Sequence, residues 1–153
     1  MMNILVAGPP AAGKTTWVRE RAAPGDLVLD WDEILAALSG LPAYERPEPL
    51  TYYANVAVMA VLKALRGAGR NGIARPPSSF VIRTAPKPLQ REAYALPLPA
   101  GLGARVVVLA TPADVCHARI DADPGRQPTA AAQHDAVDAW WRDYRPSRFD
   151  ESG

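Results

Sequence analysis

The stretch NILVAGPPAAGKTTWVRE, Asn3 to Glu20, decides the fold. Residues 3–7 are an apolar run that stops at a glycine and reads as a buried strand, and residues 14–22 read as a helix closed by Ala23-Pro24-Gly25. Between them Gly8, Gly13, Lys14 and Thr15 satisfy GxxxxGK[ST], in the strand, loop, helix setting that gives this pattern its meaning. The loop of Gly8, Pro9, Ala11, Ala12 and Gly13 wraps phosphate groups, because glycine permits a backbone whose successive N–H groups point inward at phosphate oxygens. The N-terminus of the following helix adds partial positive charge. Lys14 reaches the β- and γ-phosphates, the Thr15 hydroxyl ligates Mg²⁺, and Thr16 completes the contact set. The chain has three lysines against fourteen arginines, yet one lysine holds the motif position, where a compact ammonium fits between phosphates and a planar guanidinium does not. The motif therefore predicts binding of ATP or GTP with Mg²⁺.

Outward from this loop, strands and helices alternate. Short apolar strands are expected at residues 27–29 and 80–82, with the clearest β-branched strand at 105–109. Helices are expected over 30–38, 50–65, 88–95, 112–121 and 129–144. The helix over 50–65 is dense in apolar residues (Val56, Met59, Ala60, Leu62, Leu65) and reads as largely buried. Residues 67–79 read as a mobile basic loop, and DPGRQP at 123–128 as a loop. Parallel strands need crossover helices and are covered on both sides, so the expected architecture is α/β: a three-layer P-loop fold with a short parallel sheet of four to five strands. At 153 residues, one domain over 1–153 is expected.

The N-terminus lacks a basic segment and a long apolar run, and no stretch reaches about 18 apolar residues, so a cytoplasmic protein away from membranes is expected. The lone Cys116 reads as a buried helix residue, and His117 and His134 show no partner spacing. Net charge is only +1, but residues 41–100 hold eight cations against three glutamates, a local +5 compatible with an anionic acceptor or with a solvated surface.

A phosphate loop alone does not name a reaction. No NKxD-like base-reading pattern occurs, and no later apolar run ends in Asp-Glu. Instead Asp30 and Asp32 stand at the carboxyl end of the second strand, the edge at which open α/β sheets bind ligands. A carboxylate there can orient an acceptor hydroxyl and take its proton, or merely cap the next helix.

These residues resemble the small P-loop kinases typified by the phage 5′-hydroxyl polynucleotide kinase domain. The likeness lies in GKTTWVRE at 13–20, in DWDE at 30–33, in RTAPKPLQR at 83–91 and in TPADVCHARIDADPGR at 111–126. It implies an ATP-dependent kinase in which Lys14, Asp32, Arg119 and Arg126 are catalytic, with Asp32 as general base and the two arginines in a lid over residues 116–129. Two positions depart from that family: Leu35 stands where its members carry an arginine that grips the acceptor phosphate, and Arg83 where they carry an acid. Arg83, with Asp30, is the expected acceptor contact. A nucleotide or nucleic-acid acceptor follows from the resemblance, a small-molecule or deoxynucleoside monophosphate acceptor from Leu35, and an ATP-hydrolysing binding module stands beside both. The aromatic residues Trp140, Trp141 and Tyr144 on the last helix read as packing more than as a base-stacking surface.

Overall fold

The computed structural model describes residues 2–69, 72–96, 98 and 104–153. Five strands, β1 (Asn3–Ala7), β2 (Leu27–Asp30), β3 (Ser79–Arg83), β4 (Ala104–Val108) and β5 (Asp150–Ser152), form one sheet in the order β2-β3-β1-β4-β5, all pairs parallel. Six helices, α1 (Lys14–Arg19), α2 (Trp31–Ser39), α3 (Leu50–Gly67), α4 (Pro88–Ala95), α5 (Ala113–Ala122) and α6 (Ala130–Asp143), make the crossovers, with a 3-10 helix at Pro124–Thr129 before α6. Alternation along β1 sorts the core into two layers. Leu5 and Ala7 pack with Val58, Leu62 and Leu65 of α3, whereas Ile4 and Val6 pack with Val18, Cys116, Ile120 and Val137 on the other face. The expected three-layer α/β architecture is what forms.

Several expected boundaries move, each for a local reason. Helix α1 is shorter than expected, ending at Arg19 with Glu20 as its cap. Asp30 closes β2 and caps α2 by accepting from the Asp32 amide at 3.1 Å, and α2 stops at Gly40, which adopts φ 69. Helix α3 buries only the stripe Ala54, Val58, Leu62 and Leu65. Val56 (48% exposed) and Met59 (56%) face outward, against the expectation of a buried helix, because α3 covers the sheet with one side and nothing described lies over the other. DPGRQP forms the 3-10 turn, its start fixed by the Asp123 carboxylate accepting from the Gly125 amide at 2.9 Å. Part of the expected basic loop, residues 70 and 71, lies outside the described residues.

Strand β5 has no apolar run to announce it. Its Asp150 accepts from Arg91 of α4 through both oxygens, at 2.9 Å from Nε and 2.8 Å from Nη2. The same guanidinium, buried at 2% exposure, donates to the carbonyls of Ala85, Pro86 and Arg145. This cation fastens the chain end to the sheet. On α6 Trp140 stacks on Tyr144 at 4.5 Å and donates its indole N–H to the Thr84 carbonyl at 2.7 Å, so this aromatic pair packs.

Candidate active site

Topology brings the candidate site residues to the carboxyl edge of the sheet. Strand β1 runs straight into the phosphate loop, and Gly8 lies so close to the chain after β4 that a Cβ there would stand 2.6 Å from the Leu109 carbonyl oxygen. Gly13 adopts φ 95 as it turns into α1, a conformation that favours glycine. The loop is braced from outside: Thr111 donates to the Ala12 carbonyl at 3.0 Å, and Gly8 N–H donates to the Thr84 carbonyl at 3.2 Å.

Lys14 folds into the loop, its Nζ donating to the carbonyls of Gly8 (2.9 Å) and Pro9 (2.6 Å). Burial lowers its pKa to about 8, against the attraction of Asp32 and Asp30. Anionic phosphate oxygens in place of those carbonyls would favour the charged ammonium.

Thr15 donates its hydroxyl to Asp30 at 3.0 Å. Since the donated hydrogen points at Asp30, the Thr15 oxygen keeps lone pairs free to face a cation. A hydroxyl oxygen with a buried carboxylate behind it is a hard-oxygen donor set, which fits Mg²⁺ sharing its shell with phosphates and water. Asp30 was expected at the acceptor; its two oxygens are engaged with Thr15 and the Asp32 amide.

Asp32 sits one residue into α2, aimed into the cleft. Its carboxyl pKa is raised by burial and held back chiefly by Arg46, whose Nη2 lies 3.5 Å from Oδ1. Arg46 lies over the Trp31 ring at 5.2 Å, and Trp31 donates to Asn55 of α3 at 2.9 Å. The register pairs Asp30 with Ile82, which sets Arg83 beside the start of α2. Arg83 donates to the Tyr94 hydroxyl at 2.6 Å and stacks on that ring at 4.5 Å. Leu35 turns inward at 2% exposure, so it faces the core and not the cleft.

Across the cleft, Arg119 on α5 donates to the Ala11 carbonyl at 3.0 Å, directly over the loop. Arg126 in the 3-10 helix donates to Asp123 (3.1 Å), Gln133 (2.5 Å) and the Tyr44 hydroxyl (2.8 Å). Its guanidinium also stacks 3.9 Å from the Tyr44 ring centre. Together these walls enclose a cleft of about 1010 Å³.

Ala11, Ala12, Gly13, Lys14, Thr15 and Thr16 all line the cleft. Asp30, Asp32, Arg83, Arg119 and Arg126 do so as well. Gly8 and Pro9 take part through their carbonyls. Sequence reasoning missed Tyr44, Arg46, Asn55 and Gln133. The first two lie in the proline-rich segment 42–49, whose composition signals only a connection, and Gln133 carries no motif. His117 and His134, which show no partner spacing along the chain, meet where α5 and α6 pack, their Nδ1 atoms 2.6 Å apart.

The family model described as AAA domain matches residues 4–147. Among solved structures, a gluconokinase from Sinorhizobium meliloti 1021 superposes with TM-score 0.60 at 16% identity, covering 99% of this chain and 81% of that one. Shikimate kinase from Acinetobacter baumannii follows with TM-score 0.54 at 18% identity, covering 100% and 84%. The tunicamycin resistance protein of Deinococcus radiodurans gives 0.53 at 19% identity, covering 99% and 84%. No curated protein matches the chain by sequence. At these identities the likeness is one of fold, a P-loop kinase fold, and it spans most of each chain.

Proposed function

The chain belongs to the AAA-domain family, and from that premise we propose that it is a kinase, one P-loop domain over residues 1–153, moving the γ-phosphate of ATP to an acceptor hydroxyl or phosphate. One observation carries the reading: Asp32, a carboxylate with raised pKa, faces the same cleft as the Lys14 ammonium, while Arg119 reaches over the phosphate loop from the opposite wall. Arg46 and Arg83 line the same cleft, cations that an anionic acceptor would use and an attacking water would not.

The backbone from Gly8 to Thr16 and Lys14 hold the phosphates, and Thr15, backed by Asp30, would hold Mg²⁺, which supplies charge neutralisation on the phosphate oxygens. Asp32 orients the acceptor hydroxyl and accepts its proton as the bond to phosphorus forms. Arg119 and Arg126, in a lid over residues 116–129, spread the charge of the transferring group and exclude water. Transfer is direct, without a covalent enzyme intermediate.

Arg46 and Arg83, each lying over an aromatic ring beside Asp32, support an acceptor bearing an anionic group, of the nucleotide or nucleic-acid-end class that the polynucleotide kinase resemblance implies. A small-molecule acceptor is the second reading: at the position where the polynucleotide kinases carry an acceptor-gripping arginine, Leu35 packs into the core and brings no cation to the cleft.

Radiolabelled ATP, carrying its label on the γ-phosphate, tests this against 5′-hydroxyl DNA and RNA, nucleoside monophosphates, nucleosides and small hydroxy acids. Label is expected in one acceptor class, falling about 10²- to 10⁴-fold in Asp32→Asn while nucleotide binding persists. ATP turnover without any acceptor, indifferent to Asp32→Asn, would mark a nucleotide switch instead.

A further inference from the structure

Helices α5 and α6 meet through two histidines. The Nδ1 atoms of His117 and His134 lie 2.6 Å apart, with ring centres at 4.8 Å. Each ring's far nitrogen is taken by a carboxylate on the opposite helix: His117 Nε2 by Asp138 at 3.0 Å, and His134 Nε2 by Asp121 at 3.0 Å. A carboxylate only accepts, so both Nε2 atoms carry hydrogen. Two neutral rings would then face each other with bare Nδ1 lone pairs at 2.6 Å, which is repulsive. One additional proton converts the contact into an Nδ1–H···Nδ1 hydrogen bond and leaves a single positive charge between two aspartates. A metal ion does not suit the spacing, since two nitrogens bound to a tetrahedral zinc at 2.0–2.1 Å stand about 3.4 Å apart.

The pair adjoins both lid arginines. His117 precedes Arg119 by two residues on α5, and Arg119 holds the Ala11 carbonyl of the phosphate loop. His134 follows Gln133, whose side chain accepts from Arg126 and donates to Thr129 at 2.8 Å. The other ionisable groups of the packed elements are Asp114, Cys116 and Arg119 on α5, Asp135, Arg142 and Asp143 on α6, and Arg126 in the 3-10 helix with its partner Asp123. Among the described residues none of these bonds to either imidazole.

We infer that His117 and His134 are positioning residues that share one proton, and that this proton sets Arg119 and Arg126 over the nucleotide. With the proton in place the joint between α5 and α6 is closed. When pH rises and the proton passes to water, the lone pairs repel, the joint loosens and the arginines lose their placement. The inference rests on the proposed role of those arginines at ATP.

Two measurements on the full chain test it: ¹⁵N NMR of the histidine rings across pH, and the dissociation constant of MgATP over the same range. In the wild-type protein both rings are expected to respond together to the loss of one proton, and MgATP affinity to weaken roughly tenfold across that loss. Lys14 contributes its own limb near pH 8, and the variants share it. In Asp138→Asn the side-chain amide can donate to His117 Nε2, which frees that ring to carry its hydrogen on Nδ1. The pair then stays bonded without an extra proton, and the histidine step in affinity should vanish while low-pH affinity is kept. In His134→Gln, His117 should titrate alone and the step should be absent. Independent titration of the two rings, a step that survives Asp138→Asn, or a stoichiometric Zn²⁺ complex through both Nδ1 atoms would each overturn the inference. Coupled rings in a protein that binds no MgATP at any pH would overturn the kinase reading, and the positioning role with it, while leaving the shared proton standing.

Discussion

At the scale of single residues, the cleft divides two aspartates that stand one residue apart. Asp30 is spent on Thr15 and on the Asp32 amide, whereas Asp32 faces the cleft with a guanidinium 3.5 Å away. Burial raises the Asp32 pKa, and Arg46 is the largest influence holding it down. Removing that cation lets the carboxyl rise further, so its ionised, proton-accepting form is lost at a higher pH as the solution is acidified. Arg46→Ala should therefore move the acidic limb of phosphoryl transfer upward in pH; an unmoved limb would detach Arg46 from the chemistry of Asp32. The chain signals at 8–16 and 30–33 made most of these groups legible, because phosphate loops and strand-end carboxylates announce themselves within a few consecutive residues. Arg46 was not legible, for its relation to Asp32 crosses an irregular segment with no periodicity.

At the scale of elements, β5 shows how a strand can be held with little hydrophobic signal. Arg91 and Asp150 form a pair with 2% and 9% side-chain exposure, and three further carbonyls depend on the same guanidinium. Arg91→Met fills similar space but leaves Asp150 uncompensated and those carbonyls without their donor. Breaking a buried pair in this way costs about 3–5 kcal/mol. Urea unfolding should report a loss of this order, with faster amide exchange at Asp150–Ser152; a change below about 1 kcal/mol would mean that β5 is held by its ladder with β4 alone. Helix α3 teaches the complementary lesson. Its apolar density suggested a largely buried helix, yet a helix covering one face of a sheet buries one stripe, and Val56 and Met59 belong to the other side.

At the scale of the whole molecule, the cleft is closed by segments distant in sequence, so filling it should stiffen the fold as a unit. MgATP at a hundred times its dissociation constant should stabilise the protein by about 2.7 kcal/mol and raise the thermal midpoint by about 5–10 °C. Lys14→Met should abolish the rise, and a midpoint indifferent to nucleotide in the wild-type protein would remove the basis of the proposed reaction. By itself the sequence determined the alternating α/β plan and the phosphate loop, because strand and helix periodicity and the Gly8 to Thr15 motif are local properties of consecutive residues. Only the tertiary structure decided that Thr15 meets Asp30, that His117 meets His134, that Arg91 meets Asp150 and that Arg126 meets Tyr44, pairs separated by 15, 17, 59 and 82 residues. Such meetings depend on strand order and helix placement, and no pattern along the chain encodes which distant side chains a sheet edge will bring face to face.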